Sequence, residues 1–122
     1  MIPLFRWIVR VGGLAALILG LMLSRVAPPA LQIHMVLGSL VAASLAMLGA
    51  GALIKAVRLP AALTALLWAV AMVYVGVMQA RWMGSGNRLP VEVLHVALGI
   101  GAIGLAEALS AALLRRRASL PV

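Results

Sequence analysis

The chain has 122 residues, of which 66% are hydrophobic and 10% are charged, and its mean hydropathy is +1.20. A soluble domain of this length cannot bury so much apolar surface, because small globules keep a large surface-to-volume ratio, so we predict a membrane protein. The formal charge of +8 does not indicate a nucleic-acid partner, since the basic residues lie near the ends of apolar segments and not on one face interleaved with aromatic residues.

Four apolar segments are long enough to cross a bilayer. Because lipid offers the backbone no hydrogen-bond partner, each segment is predicted to be a helix. The connections between segments are short, which makes sequential helices antiparallel neighbours. We therefore predict an all-α membrane protein, one domain over residues 1–122, built as an up-down-up-down four-helix transmembrane bundle. The predicted spans are 4–24, 30–54, 60–80 and 91–114.

The basic residues are distributed unequally between the two ends of this bundle. Seven belong to the end that carries both termini, which we call the termini end, and three belong to the opposite end. Since segments rich in Lys and Arg stay in the cytoplasm, we predict a multi-pass protein of the inner (cytoplasmic) membrane with both termini cytoplasmic. The seven are Arg6, Arg10, Lys55, Arg58 and Arg115–Arg117, and the three are Arg25, Arg81 and Arg88.

Residues 1–61 align without gaps on residues 62–122 at several uncommon residue types. We interpret the match as two tandem helical hairpins related by an axis along the membrane normal. Coincidence in a composition rich in Leu, Ala and Val is the alternative. The matched pairs include Trp7 with Trp68, Pro29 with Pro90, His34 with His95, and Gly38 with Gly99.

His34 and His95 are the only histidines, and each follows a proline by five residues. The second and fourth helices run in the same direction, so both imidazoles lie at one end, the histidine end, about 7–8 Å along their helices. Two imidazoles on opposite faces are the axial ligands of a b-type haem. Gly38 and Gly99 lie four residues further on, on the same helical faces, where they leave room for the macrocycle. We predict that His34 and His95 are the metal ligands of one bis-histidine haem b.

Other residues are predicted to complete this site. Arginines near the histidine end are expected to pair with the haem propionates, further small residues to extend the slot, and large apolar residues to form its walls. The alternatives for the histidines are an interhelical hydrogen bond, a water-lined cavity, or the handling of protons or metal ions; for the glycines alone, helix packing is the alternative. The arginines are Arg25, Arg81 and Arg88. The small residues are Ala42, Ala46, Gly101, Ala102 and Gly104, and the large apolar residues are Met35, Trp82 and Met83.

The two acidic residues belong to the predicted fourth helix. Glu92 lies three residues before His95, and we interpret it as a solvated acid at a helix N-terminus. Glu107 lies about 18 Å further along the helix than His95. Its expected partners are the basic residues Arg115–Arg117 or Lys55, with a proton path or quinone site as a weaker hypothesis.

Four helices with histidines near the same ends of the second and fourth resemble one half of the haem A synthase family, and more loosely the four-helix b-type cytochromes of quinone-linked dehydrogenases. The resemblance covers the whole chain and implies one haem b ligated by His34 and His95. Two features depart from that family. Leu31 stands where its members carry a glutamate three residues before the ligand histidine, and the loop cysteines of many members are missing. We therefore assign no haem hydroxylation.

An iron with two histidine ligands has no open coordination position, which favours electron transfer over catalysis. The predicted function is that of a membrane-bound cytochrome b whose histidine side faces outward. Its expected partners are the lipid bilayer and a quinol or a membrane redox complex, and homo-oligomerisation remains open. The alternatives are a cofactor-free structural or assembly subunit of a larger membrane complex, and a minimal transporter that uses Glu107.

Overall fold

A computed structural model describes residues 1–22, 28–83 and 88–119, and these residues form four long helices. Helix α1 spans Ile2–Met22, α2 Pro28–Ile54, α3 Leu59–Met83 and α4 Arg88–Ala118. Each helix contains a span that is long and apolar enough to cross a membrane. No strand occurs in the described ranges. The prediction of an all-α four-helix bundle is confirmed.

Prolines mark the beginnings of the helices. Pro3, Pro28, Pro60 and Pro90 all lie within the first turn or just beyond it. Proline fits there because the first backbone N–H groups of a helix have no intrahelical acceptor, and its fixed φ already matches the helix. Within the described ranges no proline interrupts a helix beyond its first turn, so each helix is long enough to cross a bilayer.

The α2–α3 connection is a tight helix C-cap. The Val57 N–H donates to the carbonyl of Ala52 at 2.8 Å, and the Ala56 N–H donates to the carbonyl of Leu53 at 2.9 Å. Ala56 has a positive φ of 49°, the left-handed conformation that this Schellman arrangement requires and that glycine adopts at least cost. The short turn places α2 and α3 side by side and antiparallel.

The buried core fills the half of the bundle toward the termini end. Small residues on α3 and α4 let the backbones approach closely, as is common in lipid. At Gly49 an added Cβ would lie 3.1 Å from the carbonyl oxygen of Ala62, so the α2–α3 contact there depends on glycine. The core residues are Val9 of α1; Val41, Leu45, Leu48 and Ala52 of α2; Ala62, Ala65 and Ala69 of α3; and Ala102, Ala106, Leu109 and Leu113 of α4.

Helix α1 contains one π-helical turn, Ile8–Gly12. A π turn inserts one residue into an α-helix and rotates the two flanking segments relative to each other, and such turns occur often at functional sites. The turn contains the buried Val9 and the basic Arg10. It separates the segment Ile2–Trp7, at the termini end, from Gly13–Met22, which leads toward the histidine end.

Candidate histidine site

A cavity of about 460 Å³ lies between the four helices in the half of the bundle toward the histidine end. Both histidines line it, together with the polar side chains of Ser39, Gln79 and Glu92. Its walls are mostly apolar, and its volume falls in the range of about 300–1,000 Å³ that small-molecule and cofactor sites occupy. Every helix contributes glycine to the lining: Gly13 and Gly20 from α1, Gly38 from α2, Gly76 from α3 and Gly99 from α4.

The fold brings His34 and His95 together inside this cavity. Their ring centroids are 5.6 Å apart, and the ring planes are inclined at 45°. A metal bound at about 2 Å by one nitrogen of each imidazole, on opposite sides, requires centroids about 6 Å apart. The observed separation is close to this value, so the distance between the rings is compatible with one metal held between them.

His34 is fixed in orientation by the backbone of α1. Its side chain is buried, and its Nδ1 lies 2.8 Å from the carbonyl oxygen of Ala16. Because a carbonyl only accepts hydrogen bonds, Nδ1 must carry the proton, which leaves the lone pair of Nε2 available as a ligand. Metal-ligating histidines commonly show this arrangement, since the second hydrogen bond fixes the tautomer and raises the basicity of the ligating nitrogen.

Gly20 makes the close approach of α1 to His34 possible. A Cβ at position 20 would lie 3.0 Å from Cε1 of His34, which is closer than carbon atoms normally approach. Residue 81, which corresponds to residue 20 in the second half of the repeat, is arginine. The two histidines therefore have different surroundings although the sequence around them repeats.

His95 has no fixed hydrogen bond. Its Nδ1 is buried, and among the described residues it has no hydrogen-bond partner. An unpaired buried nitrogen is costly, so this atom marks a place where an additional group would be stabilising. Val77 corresponds to Ala16 in the alignment of the two halves. His95 nevertheless forms no hydrogen bond with the Val77 carbonyl that would match the one between His34 and Ala16.

The glycines predicted to make room for a ring differ in their surroundings. At Gly38 an added Cβ would meet no atom within 4 Å, so this position opens into the cavity, and Gly76 does the same from α3. Gly99 also lines the cavity, but its added Cβ would lie 2.9 Å from Cδ2 of Leu17. Gly99 thus serves helix packing as well as the cavity wall.

The small residues predicted to extend the slot do not line the cavity. Ala42 and Ala102 are buried, and Gly104 faces outward. Gly101 accommodates the indole of Trp68, which its added Cβ would overlap. Trp68 donates from Nε1 to the carbonyl of Leu98 at 2.8 Å. Ala46 packs against the core.

Of the three arginines predicted to meet propionates, only Arg81 has a described side chain. Arg81 is exposed and does not contribute to the lining. Arg88 begins α4, with its side chain outside the described part of the structure, and Arg25 lies outside the described residues altogether. Among the predicted walls, Met35 lines the cavity, Trp82 packs edge-on against Tyr74 at 5.8 Å, and the Met83 side chain is not described.

The prediction for the partners of Glu107 was wrong. Its carboxylate accepts hydrogen bonds from Nε and Nη2 of Arg6 at 2.9 and 2.7 Å, from Nη2 of Arg10 at 2.8 Å, and from Nε of Arg10. Both arginines belong to α1, one turn apart, and Glu107 lies on the neighbouring α4. We call Arg6, Arg10 and Glu107 the charged triad. The sequence already indicated this contact. Arg6 and Arg10 lie within eight residues of the start of α1, and Glu107 lies eight residues before Arg115, so all of them belong to the termini end.

Glu92 lies at the mouth of the cavity and is exposed. It also borders an apolar groove between α1 and α4, formed with residues such as Leu21, Val93 and Ile100. Its position in the first turns of α4 agrees with the expectation of an acid near a helix N-terminus, where the helix dipole favours negative charge.

Three contributors to the site were missed at the sequence level. The carbonyl of Ala16 holds His34, Gly20 makes space for its ring, and Gly76 opens the α3 wall. Every residue has a backbone carbonyl, so the residue type gives no indication that the carbonyl of Ala16 accepts this hydrogen bond. The glycines were visible as interruptions of apolar runs, but Gly20 and Gly76 had not been linked to the site.

No protein-family model matches the chain, and neither the curated proteins nor the solved structures contain a match.

Proposed function

We propose that this protein is a small integral-membrane b-type cytochrome in which His34 and His95 ligate one haem and pass electrons. The observation that carries the proposal is the pair of imidazoles 5.6 Å apart in a glycine-lined cavity. Haem when bound supplies one-electron redox chemistry at its iron. The resemblance to half of the haem A synthase family supports the same cofactor, without its hydroxylation activity.

The donor set favours haem over a bare metal ion. Among the described residues no cluster of three or more His, Cys, Asp or Glu side chains could hold an ion. Two histidines are too few for zinc, which normally takes three or four protein ligands. A porphyrin brings four nitrogens of its own and needs only the two axial ligands that this site offers.

The residues of the chain would have separate tasks in this function. Nε2 of His34 would ligate the iron while the Ala16 carbonyl keeps the ring in one tautomer. Gly38 and Gly76 would leave space beside the imidazoles, and the apolar walls would exclude water and thereby influence the reduction potential. If His34 and His95 both held the iron, the protein would leave no open position there for oxygen.

The proposed topology follows from charge. The termini end carries the larger number of basic residues, which supports cytoplasmic termini and an outward-facing histidine site in an inner membrane. A quinol or a membrane redox complex remains the proposed electron partner.

A reduced-minus-oxidised absorption spectrum tests the proposal. The protein, expressed with ample haem and purified in detergent, is expected to give the sharp bands of a low-spin b-type haem with one haem per chain. His34→Ala and His95→Ala are each expected to abolish the low-spin signal. Ser39→Ala is the matched control, because Ser39 lines the same cavity while its hydroxyl donates to Met35 of its own helix.

Absence of haem from the wild-type protein would refute the proposal. Retention of the low-spin spectrum in either histidine variant would show that the pair is not axial.

The transporter alternative receives no support from the charged triad. A coupling acid must bind and release a proton during the cycle, whereas Glu107 accepts four hydrogen bonds from two guanidinium groups. Such an arrangement stabilises the carboxylate form.

A further inference from the structure

The charged triad carries an excess positive charge at a place where lipid surrounds the protein. Two guanidinium groups at +2 and one carboxylate at −1 leave a net charge of +1. Burying a charge without a counter-charge is expensive in a membrane, so an anion is favoured beside the triad. The triad is accessible, since the side chains of Arg6, Arg10 and Glu107 are 31%, 40% and 29% exposed.

The two arginines also present unused hydrogen-bond donors. Each binds Glu107 through Nε and Nη2 only. Within the described ranges, no group accepts a hydrogen bond from Nη1 of either arginine. A guanidinium engaged on one edge keeps further N–H groups on the opposite edge, a geometry that matches two oxygens of a phosphate.

The position of the triad along α1 selects the source of that phosphate. Arg6 lies four residues into the helix, about 6 Å from its start, and Arg10 lies about 12 Å from it. Trp7 is between them in sequence, is 59% exposed, and lies 5.7 Å from the guanidinium carbon of Arg10. Tryptophan is enriched at the headgroup level of membranes, and long arginine side chains extend toward that level.

We propose that Arg6 and Arg10, held side by side by Glu107, form a binding site for the phosphate of an anionic phospholipid in the leaflet at the termini end. Glu107 orients the two guanidinium groups and leaves one positive charge for the lipid to neutralise. The lipid would thereby lie at the edge of the bundle where α1 packs against α4. This site is independent of the histidine cavity.

Native mass spectrometry of the purified full chain, with phosphatidylglycerol or phosphatidylcholine added to the detergent, tests the proposal. The wild-type protein is expected to retain one phosphatidylglycerol more strongly than any phosphatidylcholine. Arg6→Gln leaves a neutral Arg10–Glu107 pair and is expected to weaken that retention about ten-fold, the loss typical of a charge-assisted contact.

Two control variants separate a built site from general attraction. Arg116→Gln removes the same charge at the same end, from an exposed residue, and is expected to have a clearly smaller effect. Arg6→Lys keeps the charge but lacks the forked geometry, and is expected to lose most of the retention. The Lys variant decides the question if Arg6→Gln does not fold.

Two results would overturn the proposal. Equal losses in Arg6→Gln and Arg116→Gln, or full retention in Arg6→Lys, would show that only the overall charge matters. The second result combines displacement of the retained phosphatidylglycerol by millimolar inorganic phosphate with a rise in melting temperature, in phosphate without lipid, as large as the rise that phosphatidylglycerol causes. In that case the ligand would be a soluble phosphate and not a lipid.

Discussion

The two halves of the bundle accommodate their polar side chains differently, one through ion pairs and the other in a cavity. At the termini end, Glu107 is enclosed by two guanidinium groups, and the helices beneath are packed through alanine and leucine. At the histidine end, two imidazoles share a cavity, and one of their buried nitrogens has no partner among the described residues. The first half is closely packed, although the buried Ser110 hydroxyl has no partner among the described residues. The second half has open space beside its unpaired nitrogen. Incomplete packing in a protein with an otherwise dense core is a sign of function.

The first prediction concerns a substitution that fills the cavity at the histidine end. Gly38→Leu places a side chain in open cavity space, so it is expected to abolish haem binding while the melting temperature of the apoprotein stays equal or rises, because leucine favours helix over glycine. Haem content and thermal unfolding monitored by circular dichroism measure the two effects. Gly104→Leu is the control, since Gly104 also has nothing within 4 Å but lies outside the cavity. Normal haem content in Gly38→Leu would mean that the cavity does not hold the cofactor.

The second prediction concerns the boundary between the halves. Gly101→Ala would drive a Cβ into the indole of Trp68, whose Nε1 is fixed on the Leu98 carbonyl. Overpacking of this kind is expected to lower the free energy of unfolding by about 1–3 kcal/mol. Gly104→Ala, which meets no neighbour, is expected to be neutral or slightly stabilising. A thermal or denaturant series in one detergent compares the two, and equal stabilities would contradict the close packing of Trp68 on Gly101.

The third prediction disturbs the closely packed half at the charged triad. Glu107→Gln leaves Arg6 and Arg10 adjacent without their shared counter-charge, so the melting temperature is expected to fall by a few degrees. The loss is expected to be modest because all three side chains are partly exposed and screened. Glu107→Asp, which keeps the charge on a shorter side chain, is expected to lose less. Unchanged stability in Glu107→Gln would show that the triad contributes nothing to holding α1 against α4.

The fourth prediction is the most local. Gly20→Ala introduces a Cβ 3.0 Å from Cε1 of His34, which is expected to tilt the imidazole away from the Ala16 carbonyl and weaken haem binding a few-fold. The reduction potential is expected to change as well, because the hydrogen bond at Nδ1 determines the basicity of the ligating nitrogen. Gly76→Ala lines the same cavity without meeting a neighbour and serves as the control. Identical potentials in the two variants would show that contact with the His34 ring is unimportant.

Much of the fold could be predicted from the sequence, because length and hydropathy are sufficient to define helices in lipid. Runs of apolar residues bounded by prolines and arginines gave all four helices within a few residues of their observed ends. The proximity of His34 and His95 followed from helix direction and equal spacing. The helix bounds and the position of the histidines along their helices follow from residue type and from the lipid environment. They do not require knowledge of how neighbouring side chains pack.

The pairwise contacts were harder to predict. Arg6 and Arg10 had been interpreted as topology signals, and their contact with Glu107 depends on α1 packing against α4, which hydropathy does not specify. The π turn Ile8–Gly12 likewise has no established sequence signature. The repeat predicted equal surroundings for the two histidines, yet Gly20 corresponds to Arg81, and only the first histidine contacts a backbone carbonyl. Side-chain roles diverge in a repeat more readily than helix positions do.

The unequal hydrogen bonding of the two imidazoles has a consequence for the order in which the proposed cofactor would bind to them. His34 is already held in one tautomer and one orientation, so binding to it costs little conformational entropy. His95, with its Nδ1 unbonded within the described part of the chain, must still select a ring orientation. A group that binds both imidazoles would therefore be held first by His34, and the rotation of His95 would complete its binding.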